Sequence, residues 1–311
     1  MPTPIHQLEA IKTFLRQTCS PFGKSAEQIR SEMAEAARQL PRCPDIKAEP
    51  VNIGELYGEW VSIEGITDVA AESAFLYFHG GGFIAGTCEM YRDLAARLSA
   101  ACGIKVLTVE YRLAPEHRYP AANEDCLSAY YWLLAEGFSP ENIILGGDSV
   151  GATLALMTLV SLRDAGEAMP AAAVLLSPHS DLIHLDGDSY TSRAMTDPTG
   201  SLQGNQMILE DYLGGYDGDL PALLSPLRLN LEGLPPLLIQ AGDQEVLLSD
   251  AERLAVQVRA AGSEVKLEIW EQMWSVFQFM AGLLVEGEQA IASIGEFVRT
   301  VSAAASKTAR R

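Results

Sequence analysis

The sequence predicts an α/β fold with a mostly parallel β-sheet covered by helices on both faces. From about residue 74 onward, apolar runs of strand length alternate with longer helical patterns, which is typical of parallel sheets with helical crossovers. The pentad Gly147-Asp148-Ser149-Val150-Gly151 directly follows one of these apolar runs. A G-x-S-x-G sequence at that position predicts a sharp strand-to-helix turn that holds the serine hydroxyl exposed above the sheet. Ser149 is therefore the candidate nucleophile.

Length and composition indicate one large domain, or at most two. The 311 residues are 48% hydrophobic, which suffices for one sizeable core. A formal net charge of −19 argues against nucleic-acid and anionic-membrane partners, because a phosphate-binding surface needs concentrated Lys and Arg. No apolar run approaches the roughly 18 residues of a membrane span, and the N-terminal segment lacks the apolar core of a secretory signal.

The cysteine content predicts reduced thiols in a cytoplasmic protein. The chain has five cysteines, an odd number, and none of them forms a C-x-x-C pair. No H-x-x-H motif or Cys/His cluster indicates a metal site, and no G-x-x-x-x-G-K-[ST] motif indicates a phosphate-binding loop. We therefore expect neither metal nor cofactor.

Residues 1–45 predict two N-terminal helices. Ser25 and Gln28 form a capping box for the second helix, which Pro41 ends. Apolar residues at helical spacing mark the first helix: Ile5, Leu8, Ile11 and Leu15.

The remaining chain divides into a core in two parts, 46–180 and 232–311, with an insertion at 181–231. Predicted strands are 51–53, 60–63, 74–78, 105–111, 142–146, 172–177, 237–241 and 265–270. Predicted helices are 121–136, 151–165 and 250–261, the last with a capping box at Ser249 and Glu252. The insertion is rich in Gly, Asp and Ser, with a helical stretch at 203–213. We expect it to form a cap, with the N-terminal helices, over the carboxyl ends of the strands.

A second motif, His79-Gly80-Gly81-Gly82, follows the strand predicted at 74–78. Acyl transfer develops negative charge on a carbonyl oxygen, and backbone N–H groups at roughly 2.7–3.1 Å stabilise that charge. Consecutive glycines let the backbone approach a substrate closely. Together with the pentad, this motif indicates an oxyanion hole, completed by the N–H of Val150 after the nucleophile.

Across roughly residues 45–300 the chain resembles the hormone-sensitive-lipase-type (bacterial family IV) carboxylesterases. Four motifs in the family's order carry the resemblance: HGGGF at 79–83, YRLAPEH at 111–117 with YPA at 119–121, GDSVG at 147–151, and SP at 177–178 with DL at 181–182. The resemblance implies an α/β-hydrolase fold with a helical cap, Ser149 as nucleophile, and an oxyanion hole from Gly81, Gly82 and Val150. It also suggests homodimers. The chain departs mildly at Ala152, where the family usually has another glycine.

The acid of the catalytic triad should follow the strand predicted at 237–241, where Asp243 and Glu245 both qualify by position. Alignment with the family's Asp-Pro-Leu-Arg-Asp signature puts Glu245 in the acid's place. We favour Glu245 and keep Asp243 as the alternative. Either carboxylate could instead cap the helix predicted from residue 250.

The base should follow the strand predicted at 265–270, where the family has a histidine and this chain has Ser275. A serine hydroxyl has too high a pKa to take the Ser149 proton near pH 7. Of the five histidines, His179 is the alternative base because it follows the strand predicted at 172–177. The simpler interpretation of His179 is that it lines the acyl pocket.

These residues predict a carboxylic ester hydrolase for short-chain acyl esters, with a small-molecule ester as its substrate. Since Ser275 replaces the catalytic histidine, we expect turnover to be severely impaired. The simplest origin of Ser275 is a functional esterase disabled by exchange of that histidine. The alternative is a non-catalytic, receptor-like protein that binds a small ligand. The plant gibberellin receptors are similar in this respect, since they keep the esterase fold without the triad histidine.

Overall fold

The computed structural model describes residues 2–18, 22–66 and 73–308, and its centre is an eight-stranded sheet. The strands are β1 (Ile46–Ile53), β2 (Leu56–Ile63), β3 (Ala74–Phe78), β4 (Lys105–Glu110), β5 (Ile143–Asp148), β6 (Ala172–Leu176), β7 (Leu237–Gly242) and β8 (Val265–Trp270). Their order in the sheet is β1-β2-β4-β3-β5-β6-β7-β8. Strand β2 is antiparallel to both of its neighbours, and all other pairs are parallel. The predicted fold class is confirmed.

Helices cover both faces of this sheet. The helices of the described chain are α1 (Ile5–Thr18), α2 (Ala26–Gln39), α3 (Cys88–Cys102), α4 (Ala121–Ala135), α5 (Val150–Asp164), α6 (Ser189–Ser192), α7 (Leu202–Leu213), α8 (Leu248–Ala260) and α9 (Val285–Thr308). Helices α4, α5 and α8 pack on one face, and α3 and α9 on the other. Side chains of β3 alternate between the two cores, Leu76 facing one and Tyr77 the other. Within the described part of the chain, no helix has the length and apolar character needed to cross a bilayer.

Some of the predicted strand bounds and helix caps are present in the structure, and others are not. Strands β3 and β8 have the predicted bounds, and the Ser25–Gln28 capping box is formed. Helices α3 and α9 were not predicted. The capping box predicted at Ser249 and Glu252 is wrong, because α8 begins at Leu248 and Ser249 lies inside it. The Ser249 hydroxyl instead accepts the Ser189 N–H at 2.8 Å.

The carboxyl ends of β3, β5, β6, β7 and β8 lie along one edge of the sheet, where parallel α/β proteins place their sites. Each candidate residue follows one of these strands within a few positions. In strand order they are the 79–82 loop, Ser149, His179, Glu245 and Ser275.

The β5–α5 turn lies in backbone contact with the end of β3. A Cβ atom added at Gly151 would lie 2.1 Å from the Phe78 carbonyl oxygen and 2.5 Å from that of His79. Real Cβ atoms do not approach backbone this closely, so glycine is required at this position. The contact fixes the start of α5 beside the glycine loop that follows β3.

Residues of the insertion and of the N-terminal helices contact the same edge. Tyr212 of α7 stacks on Phe83 with ring centroids 3.9 Å apart. Leu8 and Leu15 of α1 belong to one buried cluster with Trp274, in the loop after β8. The boundaries proposed for the core and the cap at 45, 180 and 231 remain predictions.

We expect Gly151→Ala to lower the free energy of unfolding by about 1–3 kcal/mol, the usual cost of overpacking. Helix propensity alone would predict the opposite sign, since alanine is the better helix former by about 1 kcal/mol. Urea denaturation measures the difference, and Gly151→Val should cost more than Gly151→Ala. A Gly151→Ala chain as stable as the unaltered one would contradict the contact.

Candidate active site

Ser149 occupies a strained turn between β5 and α5, as the pentad predicts. Its backbone has φ 52° and ψ −122°, a conformation that L-residues rarely adopt and that costs about 1–3 kcal/mol. The Ser149 N–H donates to the Leu176 carbonyl at 2.9 Å, and the Thr153 N–H donates to the Ser149 carbonyl at 3.2 Å. The side chain is partly exposed, and its hydroxyl has no hydrogen-bond partner among the described residues. This geometry suits a nucleophile.

The glycine loop after β3 has a backbone that only glycine adopts readily. Gly81 has φ 110° and Gly82 has φ 64°. A Cβ atom on Gly81 would lie 2.2 Å from the Ala85 carbonyl oxygen. The N–H groups of Gly81, Gly82 and Val150 donate to no other group of the described chain. Val150 is also the first residue of α5, whose N-terminus carries a partial positive charge. Three N–H groups therefore remain available for an oxyanion.

Asp148, immediately before the nucleophile, links the turn to this loop. The Gly80 N–H and the Tyr77 and Tyr91 hydroxyls donate to its carboxylate at 2.9–3.0 Å. Burial raises the pKa of Asp148 to about 6, and the three hydrogen bonds oppose that rise. No role of Asp148 was predicted from the sequence. An acidic residue at the end of an otherwise apolar strand was the available signal.

Glu245, between β7 and α8, is completely buried. Its Oε2 atom accepts the Ser177 hydroxyl at 2.8 Å and the Gly242 N–H at 2.9 Å. Its Oε1 atom is buried without a hydrogen-bond partner. Burial raises the pKa of Glu245 to about 8, and the charge of Asp197 adds to the rise. The carboxylate is thus held by one oxygen while the other has no donor.

Ser177 connects Glu245 to the loop that carries Ser275. Its Oγ atom accepts the Val276 N–H at 2.9 Å while its hydroxyl donates to Glu245. The two loops also meet directly, since the Gln244 N–H donates to the Met273 carbonyl at 3.1 Å. Ser275 is partly exposed. The fold therefore places position 275 beside the Glu245 loop, at the edge where Ser149 lies.

Asp243 makes its hydrogen bonds through its backbone and not through its carboxylate. Its N–H donates to the Trp270 carbonyl at 3.0 Å, and its carbonyl accepts Arg193 Nε at 2.6 Å. Its carboxylate accepts no hydrogen bond from the described residues, and Oδ1 is buried. Neither Asp243 nor Glu245 caps α8, because no side chain caps that helix. The cap alternative considered for both carboxylates is therefore wrong.

Residues of the insertion form hydrogen bonds with the loop that carries Glu245. Asp197 Oδ2 accepts the Val246 N–H at 2.8 Å, and the Thr196 hydroxyl donates to the Gln244 carbonyl at 3.2 Å. Asp197 is nearly buried and also accepts the N–H groups of Thr199 and Gly200. These contacts restrict the Glu245 backbone. The roles of Asp197 and Ser177 were not predicted from the sequence.

His179 lies after β6 with its side chain fully buried. Both ring nitrogens lack a hydrogen-bond partner, and burial lowers the pKa of the imidazole to about 4. Its backbone N–H approaches the Ser149 carbonyl at 3.5 Å, and its ring lies 6.5 Å from that of Tyr190 in α6. Neither candidate carboxylate orients the ring by a hydrogen bond. The His179 imidazole is therefore neutral and weakly basic, and it lies near Tyr190 of the insertion.

The other histidines have different surroundings. His79 stacks on Tyr111 at 4.2 Å, and its Nδ1 lies 2.7 Å from the Gly80 carbonyl. Burial lowers its pKa to about 4. His184 Nδ1 is 2.8 Å from Asp181 Oδ1, while His6 and His117 are exposed. None of the five histidines is hydrogen-bonded to Asp243 or Glu245, the two candidate acids, among the described residues.

Among residues 2–18, 22–66 and 73–308, no group of three His, Cys, Asp or Glu side chains could hold a metal ion. The four described cysteines are free thiols: Cys43, Cys88, Cys102 and Cys126. Cys19 lies outside the described residues.

Comparisons with known proteins identify the family of this chain. A family model described as alpha/beta hydrolase fold matches residues 75–279. An acetyl-hydrolase of Streptomyces hygroscopicus is 40% identical over 81% of this chain and 82% of its own length. An esterase of Acinetobacter venetianus is 31% identical over 92% of both chains. The crystal structure of an esterase from the bacterial hormone-sensitive lipase family is 39% identical, covers 96% of this chain and 99% of its own, and superposes with a TM-score of 0.90. The chain therefore belongs to the α/β-hydrolase family, among the esterases of the bacterial hormone-sensitive-lipase group.

Proposed function

We propose that this chain is a carboxylesterase for short-chain acyl esters whose turnover is impaired because Ser275 occupies the position of its catalytic histidine. The observation that carries the proposal is the unequal hydrogen bonding of the two oxygens of the Glu245 carboxylate. One carboxylate oxygen is fixed by two donors, and the other is buried with none. A histidine N–H from position 275 would supply the missing donor. The acetyl-hydrolase and esterase names of the relatives support short acyl groups.

In the proposed reaction, Ser149 Oγ attacks the acyl carbon of a small-molecule ester. The N–H groups of Gly81, Gly82 and Val150 stabilise the negative charge on the carbonyl oxygen, where each donor is worth about 10²–10³ in rate. A base at position 275 would take the Ser149 proton and pass it to the leaving alcohol. Glu245 would hold that base in the correct tautomer and stabilise its charged form.

With serine at position 275, both proton transfers lose their base. In the serine protease subtilisin, loss of the triad histidine lowers kcat by a factor on the order of 10⁶. The oxyanion hole and substrate binding still leave a residual acceleration of about 10³–10⁴ over water. We therefore expect slow acylation of Ser149 and little turnover. A cytoplasmic location and a homodimer remain predictions, from the cysteine content and the family resemblance respectively.

The direct test is Ser275→His. Its imidazole should raise kcat for a p-nitrophenyl acetate substrate by several orders of magnitude, up to about 10⁶, because it restores the base. Ser275→Ala is the matched control and should stay as inert as the unaltered chain. A folded Ser275→His protein no more active than Ser275→Ala would overturn the proposal. Tight binding of a small ligand by that inert protein would support the receptor-like alternative.

The acid is tested in the Ser275→His background. Glu245→Gln should lower kcat about 10⁴-fold, as the equivalent change of a triad carboxylate to its amide does. Asp243→Asn should change kcat far less, because the Asp243 carboxylate has no contact with the 273–276 loop among the described hydrogen bonds. Steady-state kinetics of the two double variants give the ranking. The reverse ranking would make Asp243 the triad acid.

The unaltered chain should form an acyl-enzyme slowly and release it more slowly still. A p-nitrophenyl leaving group needs no protonation, so Ser149 can attack without a general acid, whereas deacylation still needs a base to activate water. Intact-protein mass spectrometry after long incubation with the ester should show one acyl adduct, which Ser149→Ala abolishes. Rapid, sustained turnover without an adduct would show that a working base exists, and His179 would be the first residue to replace.

A further inference from the structure

The unpaired oxygen of Glu245 is a binding feature in its own right. Glu245 has no exposed surface, and its Oε1 atom is buried without any donor. A buried acceptor left without a hydrogen bond costs about 1–3 kcal/mol, so a ligand that brings an N–H group is stabilised there. The other oxygen is already occupied by Ser177 and Gly242, which fixes the carboxylate in one orientation.

The loop that carries Ser275 is held in place by its own contacts. Trp274 and Phe277 are buried on either side of Ser275, and the Val276 N–H is bonded to Ser177. Ser275 itself is partly exposed and makes no hydrogen bond to Glu245. Its side chain is shorter than the imidazole that the family places there. The loop is therefore fixed on both sides of position 275, which is partly exposed and carries a side chain smaller than an imidazole.

We propose that Ser149, Glu245 and Ser275 frame a binding site for a small, planar nitrogen base of the imidazole class, supplied either in solution or on the ester substrate itself. The inference rests on the proposed function, since it takes Ser149 as nucleophile and Glu245 as the orienting acid. It adds a ligand class that the chain needs for turnover.

The bound base acts by proton transfer alone. One ring nitrogen donates its N–H to Glu245 Oε1, and the other accepts the proton of Ser149 Oγ as the Oγ–carbon bond forms. The resulting imidazolium returns that proton to the ester oxygen as the bond from the acyl carbon to the alcohol breaks. For deacylation the base takes a proton from water, whose oxygen attacks the acyl carbon, and the proton passes to Ser149 Oγ as it leaves. The base is regenerated.

The test measures p-nitrophenyl acetate hydrolysis by the unaltered chain with increasing imidazole, after subtraction of the reaction that imidazole catalyses in solution. Turnover should rise and saturate, with a gain of about 10², the lower end of general-base contributions. N-methylimidazole has a basic ring nitrogen but no N–H for Glu245, so it should be much less effective. Equal rescue by the two bases, or a linear, non-saturating dependence, would overturn the site.

Variants separate the site from general buffer catalysis. Rescue should vanish in Ser149→Ala and in Ser275→Leu, whose larger side chain fills the position, and should fall strongly in Glu245→Gln. Circular dichroism and the thermal transition confirm that each variant is folded. Rescue that persists in folded Ser275→Leu would place the base elsewhere and overturn the proposal.

A second arm identifies the source of the base. A p-nitrophenyl ester of N-acetylhistidine should turn over without added imidazole, whereas the phenylalanine counterpart should not. Faster turnover of the histidine ester supports a substrate-borne base, and rescue by free imidazole alone supports a free one. If neither ester nor imidazole gives turnover while Ser275→His is active, this inference fails and the proposed function stands. If Ser275→His is inactive too, the proposed function fails with it.

Discussion

The buried carboxylate of Asp148 is the interaction on which the nucleophile side of the site depends. It joins the last residue of β5 to the glycine loop after β3 by accepting the Gly80 N–H and two tyrosine hydroxyls. Without that acceptor, the two buried tyrosine hydroxyls would each be left unpaired at about 1–3 kcal/mol, while the Gly80 N–H would keep only the Tyr91 oxygen as its acceptor. The backbone contact at Gly151 reinforces the same junction. The strained Ser149 backbone is therefore held by fixed neighbours on both sides, and its conformation needs no help from the triad.

Glu245, the proposed acid, is held by a second set of contacts that does not involve Asp148. Glu245 is positioned by Ser177 and Gly242, and the insertion fixes the next residue along through Asp197. None of these contacts involves the side chain of residue 275. Burial raises the pKa of Glu245 to about 8, which means that the ionised carboxylate is disfavoured in these surroundings. A cationic imidazolium beside Oε1 would favour the ionised form and lower that pKa. In the proposed function, a base at position 275 would therefore stabilise the charge of Glu245, whereas Ser177 and Gly242 already fix its position.

Features that neighbouring residues decide can be predicted from the sequence, whereas features that depend on residues distant in the chain cannot. The apolar run of β3 and the alternating apolar residues of β8 give these two strands with their bounds, because local composition decides them. Ser249 shows the opposite case: it reads as a helix cap, yet its hydroxyl pairs with Ser189 sixty residues earlier, which no local pattern reveals. Helix α3 was missed although its buried residues recur at helical spacing, from Cys88 through Tyr91 and Leu98. The roles of Asp148 and Ser177 depend on strands that meet only in the folded sheet.

The same separation explains how the chain keeps its architecture with serine at position 275. Trp274 and Phe277 supply the loop's packing, and the Val276 N–H supplies its bond to Ser177, so the loop is specified on both sides of the exchanged position. Residue 275 is partly exposed and belongs to no buried cluster among the described residues. Under the proposed function, serine at this position removes a base, while the contacts that hold the loop do not involve its side chain. In that proposal, proton transfer and the packing of this loop are therefore assigned to different residues.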